Sequence, residues 1–166
     1  MASAARYDVT IRPAREDEVG VVLGFIRELA VYEHLEHQVV ATEDGLRQSL
    51  FGPRPYAEVV LACVQGEPVG FALFFHNFST FLGRPGIYLE DLFVRPQHRG
   101  KGIGKALMIH LARQCEVHGC MNLQWAGLDW NTPSIDFYKS LGAVPKDEWT
   151  ICRLSGDALA RLAERA

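Results

Sequence analysis

The stretch from Tyr88 to Gly104, which reads YLEDLFVRPQHRGKGIG, constrains the fold of this chain more than any other segment. Its alternating apolar run predicts a β-strand that contains two adjacent acids. A loop with glycines at 100, 102 and 104 follows, and the amphipathic segment after it predicts a helix. A helix start leaves backbone N–H groups unpaired, so it can hold a phosphate, and glycines let the backbone approach that anion closely. The segment therefore predicts an anion site close to two carboxylates, which suits a phosphorylated cofactor.

The composition of the chain limits the classes of protein to which it can belong. Its 166 residues fit one domain, spanning 1–166. A formal net charge of −3 and a pI near 6.1 give no electrostatic signature of nucleic-acid binding. The chain shows no signal-peptide core and no apolar run of membrane-spanning length. The four cysteines form no CxxC pair and no zinc spacing, so we expect a cytoplasmic protein without a bound metal.

Hydrophobic periodicity along the chain predicts a mixed order of strands and helices, and hence the α+β class. Pro13 separates a first strand from a long helix, and Thr42 marks the start of a second helix. The turn Gln65-Gly66-Glu67 predicts a hairpin between the next two strands. The predicted strands cover residues 7–12, 58–64, 68–75, 86–94, 121–127 and 149–154, and the predicted helices cover 16–33, 42–52, 104–118, 131–141 and 157–163.

These elements and several segments together resemble the GCN5-related N-acetyltransferase (GNAT) family. The family's pyrophosphate signature, Arg/Gln-x-x-Gly-x-Gly/Ala, stands here as RGKGIG at 99–104. The segments 27–39, 87–94, 98–104 and 128–143, with the late Trp149, are similar to the diamine (spermidine/spermine) and thialysine acetyltransferases. The pattern Ser-Thr-aromatic-x-Gly-Arg at 79–84 and LDWN at 128–131 are closer to the thialysine branch. The resemblance implies a mixed central sheet splayed between its fourth and fifth strands, with flanking helices.

The resemblance also implies acetyl-CoA as the co-substrate and assigns residues to it. The pantetheine would pair like an extra strand with Leu92, Phe93 and Val94. The signature loop and helix start would hold the pyrophosphate through Arg99, Gly100, Lys101, Gly102, Ile103, Gly104 and Lys105. The next helix start would contact the cofactor from the other side through Asn131, Pro133 and Ser134. Taken without the resemblance, the glycines are equally compatible with a tight turn and helix entry that bind no ligand.

Tyr138 corresponds to the family's general acid, which protonates the departing coenzyme A thiolate. A tyrosine has a pKa of about 10 and a thiol about 8.5, so the proton transfer is not far from balanced. From its helical position alone, Tyr138 fits a core aromatic like its neighbour Phe137 better than a catalytic residue, because aromatics on short amphipathic helices usually belong to the core. The resemblance favours the catalytic role.

Glu90 and Asp91 raise a question of geometry, because adjacent strand residues face opposite sides unless the strand bulges. The family has such a bulge in this strand. An amine of pKa about 10.4 is mostly protonated at pH 7, and freeing its lone pair costs about 4 to 5 kcal/mol. The resemblance implies that Glu90 attracts the ammonium group and passes its proton on through water. Asp91 either lines the same site or is a charge at the strand edge.

The remaining residues implied by the resemblance lie on the substrate side. They are Tyr32 and Glu33 on the first helix, Glu90 and Asp91 on the central strand, Gln124, Trp125 and Ala126 on the fifth strand, and the late Asp147 and Trp149. The implied reaction is direct transfer in a ternary complex to the primary amine of a small diamine, thialysine or a lysine-like molecule. Two alternatives stay open: a protein lysine or N-terminal acetyltransferase, and a non-catalytic CoA-sensing module. By analogy with the subgroup we expect a homodimer, with neither nucleic acid nor membrane as a partner.

Overall fold

A computed structural model describes residues 8–165 of the chain. The chain divides into two compact units, one ending at Ala126 and the other beginning at Gly127. Each unit has its own secondary structure, and a single domain over residues 1–166 stays a prediction. Tyr7, with which the first predicted strand begins, lies outside the described residues.

The first unit is built on a five-stranded mixed sheet with helices on its faces. The strand order is β1-β2-β3-β4-β5, antiparallel throughout except for the parallel pair of β4 and β5. This architecture confirms the predicted α+β class. The elements are β1 (Val9–Pro13), α1 (Val19–Glu33), α2 (Glu43–Phe51), β2 (Glu58–Val64), β3 (Glu67–Ser79), β4 (Arg84–Val94), α3 (Ile103–Val117) and β5 (Leu123–Gln124), with 3-10 turns at Glu16–Glu18, Glu36–Gln38 and Pro96–His98.

Local chemistry explains several of these boundaries. The Thr42 side chain accepts a hydrogen bond of 3.1 Å from the backbone N–H of Gly45, so it caps α2 as its position predicts. Gln65 and Gly66 have φ angles of 52° and 84°, which is the left-handed pair that a two-residue hairpin turn needs between β2 and β3. His34 ends α1 in the left-handed conformation. The hairpin and the second helix start were thus predictable from short-range signals.

The hydrophobic core lies on both faces of the sheet. On one face, α1 packs Phe25 against Phe71, with ring centroids 5.4 Å apart and nearly parallel planes, and against Phe93 at 6.3 Å. Burial of these rings away from water is the main stabilising contribution on this face. Helix α3 packs against β4, β3 and β1, and its buried residues are Ile103, Leu107, Met108, Leu111 and Cys115.

The pairing of β4 with β5 is unusually short. It covers only Ile87 with Leu123 and Tyr88 with Gln124. Beyond Tyr88, no other strand within residues 8–165 pairs with this edge of β4. The predicted splay between the fourth and fifth strands is therefore present, while the strand predicted over 121–127 was too long.

The second unit contains two short helices, α4 (Thr132–Ser140) and α5 (Gly156–Ala163). The predicted helix starting near Asn131 is confirmed. The strand predicted for 149–154 is wrong: this segment forms no strand, and Trp149 and Ile151 are 74% and 78% exposed. A strand needs a partner for its backbone groups, and no strand is present among residues 127–165 to supply one.

Candidate active site

A β-bulge in β4 sets the geometry of the acidic residues. Leu73 of β3 lies opposite Asp91, but the next residue, Phe74, lies opposite Leu89, so Glu90 is the extra residue. Because side chains alternate along a strand, the bulge turns Asp91 toward the face that α1 covers, whereas Leu89 points to the α3 face. The sequence analysis required a bulge in this strand if Glu90 and Asp91 are to line one site, and the bulge is present.

Asp91 is the central member of an acidic cluster. Burial raises the pKa of Asp91 to about 6, and the negative charges of Glu90 and Glu33 raise it further in the same direction. Burial also raises the pKa of Glu33, which is the last residue of α1. Glu90 itself is exposed, whereas Asp91 is half-buried. Asp91 is therefore a partly buried acid that faces two other carboxylates, and this cluster attracts a cation.

Arg99 holds the end of β4 against the end of α1. Its Nε donates a 2.7 Å hydrogen bond to the carbonyl oxygen of Val94. Its guanidinium carbon lies 4.8 Å from the ring centroid of Tyr32 and 5.3 Å from that of Phe93, within the range of cation–π attraction. The backbone N–H of Arg99 donates to Pro96. The backbone N–H and the Nε–H of Arg99 thus both donate to carbonyl oxygens within the protein. Its guanidinium group contacts the ring of Tyr32 and so helps to orient it.

The glycine loop has the conformation expected of an anion cradle. Gly100 and Gly102 have φ angles of 71° and 81°, which other residues adopt only with strain, and Gly102 immediately precedes α3. Gly102, the residue before α3, has no side chain with which to cap the helix. The first backbone N–H groups of α3, from Ile103 onward, therefore keep the capacity to bind an anion. Lys101 Nζ donates to the carbonyl of Gln97, and Lys105 is exposed in the first turn of the helix.

The open edge of β4 runs from the bulge toward this loop. On one side, β4 pairs with β3 along Leu92, Phe93 and Val94; on the other side, no strand within residues 8–165 pairs with these three residues. An extended molecule can add to such an edge through backbone hydrogen bonds, in the manner of strand addition. The edge and the glycine loop together fit the two parts of a CoA molecule, its pantetheine arm and its pyrophosphate.

On the other side of Asp91, the same face of the sheet carries aromatic and amide side chains. Phe75 of β3 stacks on Tyr88 of β4 with centroids 5.2 Å apart. Asn77 Nδ2 donates a 2.8 Å hydrogen bond to Gln124 Oε1 on β5. Gln124 was predicted as a site residue, but Phe75, Asn77 and Tyr88 were missed. Strand alternation assigns them to the face of Asp91 only when the position of the bulge is known.

The two residues that follow β5 were also predicted on the substrate side. Trp125 is half-buried, and Ala126 is exposed at the end of the first unit. Neither belongs to the sheet.

The remaining predicted residues lie in the second unit. The Asn131 side chain is buried and accepts a 3.4 Å hydrogen bond from the backbone N–H of Ser134, so it caps α4, with Pro133 in the first turn. The half-buried Tyr138 ring lies 5.2 Å from that of Phe137. Asp147 and Trp149 are exposed in the segment between α4 and α5. The cofactor and substrate roles of these residues stay predictions.

Residues 8–165 contain neither a metal-binding cluster nor a membrane-spanning helix. Within that range, no group of three or more histidine, cysteine, aspartate or glutamate side chains is arranged to hold a metal ion. None of the helices described there has the length and apolar character needed to cross a membrane.

Comparison with known proteins gives consistent matches. The model of the acetyltransferase (GNAT) family matches residues 27–143. The thialysine N-epsilon-acetyltransferase of Bos taurus is 41% identical, with 93% of this chain and 97% of the relative covered. The L-ornithine N5-acetyltransferase of Arabidopsis thaliana is 32% identical, with 90% of this chain and 85% of the relative covered.

A solved structure supports the same assignment. An integron cassette protein from the mobile metagenome of V. cholerae superimposes with a TM-score of 0.79 and 31% identity, covering 94% of this chain and 98% of that protein. Members of the family use acetyl-CoA as the co-substrate, which agrees with the edge and loop described above. From the family match, the relatives and the fold together, the chain belongs to the GNAT family of acetyltransferases.

Proposed function

We propose that this protein transfers the acetyl group of acetyl-CoA to the primary amine of a small molecule, such as thialysine, a lysine-like amino acid or a diamine. Transfer is direct, in a ternary complex. The observation that carries the proposal is the cluster of Glu33, Glu90 and Asp91 beside the open edge of β4. The cluster attracts a small cation next to the place where an extended thioester can add to the sheet.

The donor is held by backbone groups more than by side chains. The proposal has the β4 edge at Leu92 to Val94 orient the pantetheine, and one of its N–H groups polarise the thioester carbonyl. Backbone N–H groups from Gly100 to Lys105 hold the pyrophosphate. The start of α4 is proposed to contact the cofactor from the other side by resemblance to the family.

The acids bind the amine and take part in its deprotonation. Glu90 is exposed, which suits a carboxylate that attracts the ammonium and passes the proton to water. A raised pKa of about 6 makes Asp91 a better proton acceptor than an ordinary aspartate. Compared with an unperturbed aspartate near pKa 3.9, a carboxylate near 6 lowers the cost of accepting a proton from an amine by about 3 kcal/mol. An aminoethyl thioether amine is less basic than the lysine side chain, because sulfur withdraws electron density, so its deprotonation costs less again.

Tyr138 supplies the proton that the leaving thiolate needs. A phenol is protonated at neutral pH and close enough in pKa to a thiol for the transfer to be efficient. None of the four cysteines lies in a segment assigned to catalysis, so the proposed route has no covalent acyl-enzyme. In the proposed reaction Glu90 passes the amine proton on through water, Asp91 helps to bind the amine and to accept its proton, and Tyr138 protonates the thiolate.

The experiment is a comparison of kcat/KM for thialysine, lysine, putrescine, spermidine and a lysine-containing peptide, with acetyl-CoA as donor. We expect the small amines to be preferred. Preference for the peptide would favour a protein acetyltransferase instead. Tyr138→Phe should lose most turnover while acetyl-CoA binding, measured by calorimetry, is retained. CoA binding without turnover on any amine would identify a sensing module and contradict the proposal.

The proposed assembly rests on the resemblance, and the proposed location rests on the pattern of the cysteines. We propose a homodimer that acts in the cytoplasm on a small amine. Light scattering coupled to gel filtration tests the dimer, and a monomeric mass at micromolar concentration would contradict it.

A further inference from the structure

The α1 face of the sheet continues past Asp91 toward the β3–β4 hairpin. In register, Phe75 lies opposite Tyr88, Asn77 opposite Gly86, and Ser79 opposite Arg84. Alternation places all six residues on one face, and two contacts agree with it: the Phe75–Tyr88 ring stack and the Asn77–Gln124 hydrogen bond. The face thus has three parts in order, namely the acids, an aromatic pair, and a polar end at the hairpin.

The charge along this face changes sign from one end to the other. At one end, Asp91 lies with two other carboxylates, those of Glu90 and Glu33. At the hairpin end, the residues on this face are amides, a hydroxyl and one cation, Arg84, and none is an acid. Arg84 is exposed, and its Nη1 lies 3.3 Å from the sulfur of Met121. Among residues 8–165, no carboxylate forms an ion pair with Arg84. The lone second ammonium group of a diamine would be repelled at this end, whereas the zwitterionic end of an α-amino acid also offers Arg84 a carboxylate.

The length of the face suits an amino acid with an amine at the end of its side chain. The Met121 N–H bonds to the carbonyl of Pro85, so the guanidinium of Arg84 lies near the level of Pro85. From that level to Asp91, excluding the bulge residue, the strand spans about 16 Å. An extended lysine-like molecule measures about 8 Å from its amine nitrogen to its carboxylate. With a hydrogen bond of about 3 Å at each end, it reaches most of that distance.

We propose that Arg84 and Asn77 recognise the α-carboxylate end of an amino acid substrate, while the acids around Asp91 hold its reacting amine. Arg84 binds the carboxylate through a charge-assisted hydrogen bond. Asn77 lies beside it on the same face and supplies a polar amide group at this end of the substrate. The half-buried Phe75–Tyr88 stack lies between, as an apolar surface for the stem of the substrate. A thioether stem gains a favourable sulfur–aromatic contact there. The inference rests on the proposed amine acetylation and narrows its substrate class from amines in general to α-amino acids.

The test uses two substrates that differ in one group. Thialysine and bis(2-aminoethyl) sulfide share the aminoethyl thioether, but only thialysine carries a carboxylate. We expect the unchanged protein to prefer thialysine in kcat/KM. Arg84→Gln should lower the ratio of thialysine to the diamine by about tenfold or more, because a charge-assisted hydrogen bond is lost. The kcat/KM for the diamine should fall less than twofold.

A second variant and a control make the result specific. Asn77→Asp introduces a carboxylate beside the same end, so it should raise kcat/KM for the diamine and lower it for thialysine. Arg113→Gln removes an exposed arginine on α3 and should leave the ratio unchanged. Thermal unfolding confirms that each variant is folded.

The outcomes separate the two proposals. Unchanged protein that acetylates amines, combined with an Arg84→Gln ratio equal to that of Arg113→Gln, would overturn the carboxylate site and leave the proposed function standing. Unchanged protein that acetylates neither substrate nor any other amine would overturn both.

Discussion

Replacing Asp91 by asparagine should make the protein more stable and less active. The ionised Asp91 carboxylate is held in a partly buried place beside Glu90 and Glu33, which is why its pKa rises to about 6. A carboxyl group with a raised pKa destabilises the folded state wherever it is ionised, so the cost is present above about pH 6 and disappears below the ordinary value near 4.

The size of the effect follows from the pKa. The model value for an aspartate is 3.8, so a folded-state value of about 6 corresponds to about 3 kcal/mol at pH 8. Partial exposure to solvent reduces this, and we expect Asp91→Asn to stabilise the fold by about 2 kcal/mol at pH 8. For a chain of this size that is a rise of about 4 to 8 °C in Tm. At pH 4 most of this gain in stability should be lost.

The assay is urea unfolding of both proteins at pH 8 and pH 4, followed by intrinsic fluorescence. Glu116→Gln, an exposed change on α3, serves as the control and should stay within about 0.5 kcal/mol. Acetylation measured in parallel should fall for Asp91→Asn. A variant that is less stable at pH 8, or equally stabilised at both pH values, would refute the idea that Asp91 is a strained member of an acidic cluster.

Three further substitutions test other features. Glu18→Gln should destabilise the fold by about 3 kcal/mol at pH 7, because Glu18 is buried in a bidentate ion pair with Arg12 that lowers the pKa of Glu18 to about 2. In urea unfolding, the difference in stability from the unchanged protein should shrink as the pH falls from about 4.5 toward 2. Arg99→Met should raise the KM for the amine about tenfold, because Tyr32 loses its cation and Val94 its donor, and an unchanged amine KM would refute this. Gly102→Ala should weaken acetyl-CoA binding in calorimetry and cost about 1 kcal/mol from its φ of 81°, whereas Gly24→Ala inside α1 should leave binding intact.

Short-range signals predicted those parts of the molecule that depend on neighbouring residues. The caps at Thr42 and Asn131, the Gln65–Gly66 turn and the glycine loop before α3 each rest on a backbone preference that a few residues determine. The strand predicted for 149–154 failed because alternation indicates only that a segment can pair. Whether a partner is present is a tertiary property, and the second unit contains none.

The candidate site was predictable in its membership but not in its arrangement. The resemblance predicted that Glu33, Glu90 and Asp91 all lie on the substrate side of the site. It did not predict that Glu90 is exposed whereas Asp91 is partly buried. That difference depends on the bulge, for which the local residues give no signal. Phe75 and Arg84 were missed for a related reason. Their place on the substrate face follows only from the register of β3 against β4.

The bulge at Glu90 also has a consequence for how this strand can change over evolutionary time. Because Glu90 is an extra residue, even-numbered residues before it and odd-numbered residues after it lie on the α1 face of the sheet. Deleting Glu90 would leave Leu89 opposite Phe74 and Asp91 opposite Leu73, so both would keep their faces. The bulge residue can therefore be lost or gained without repacking the core. The number of acids at the site can diverge in this way while the hydrophobic scaffold is inherited unchanged.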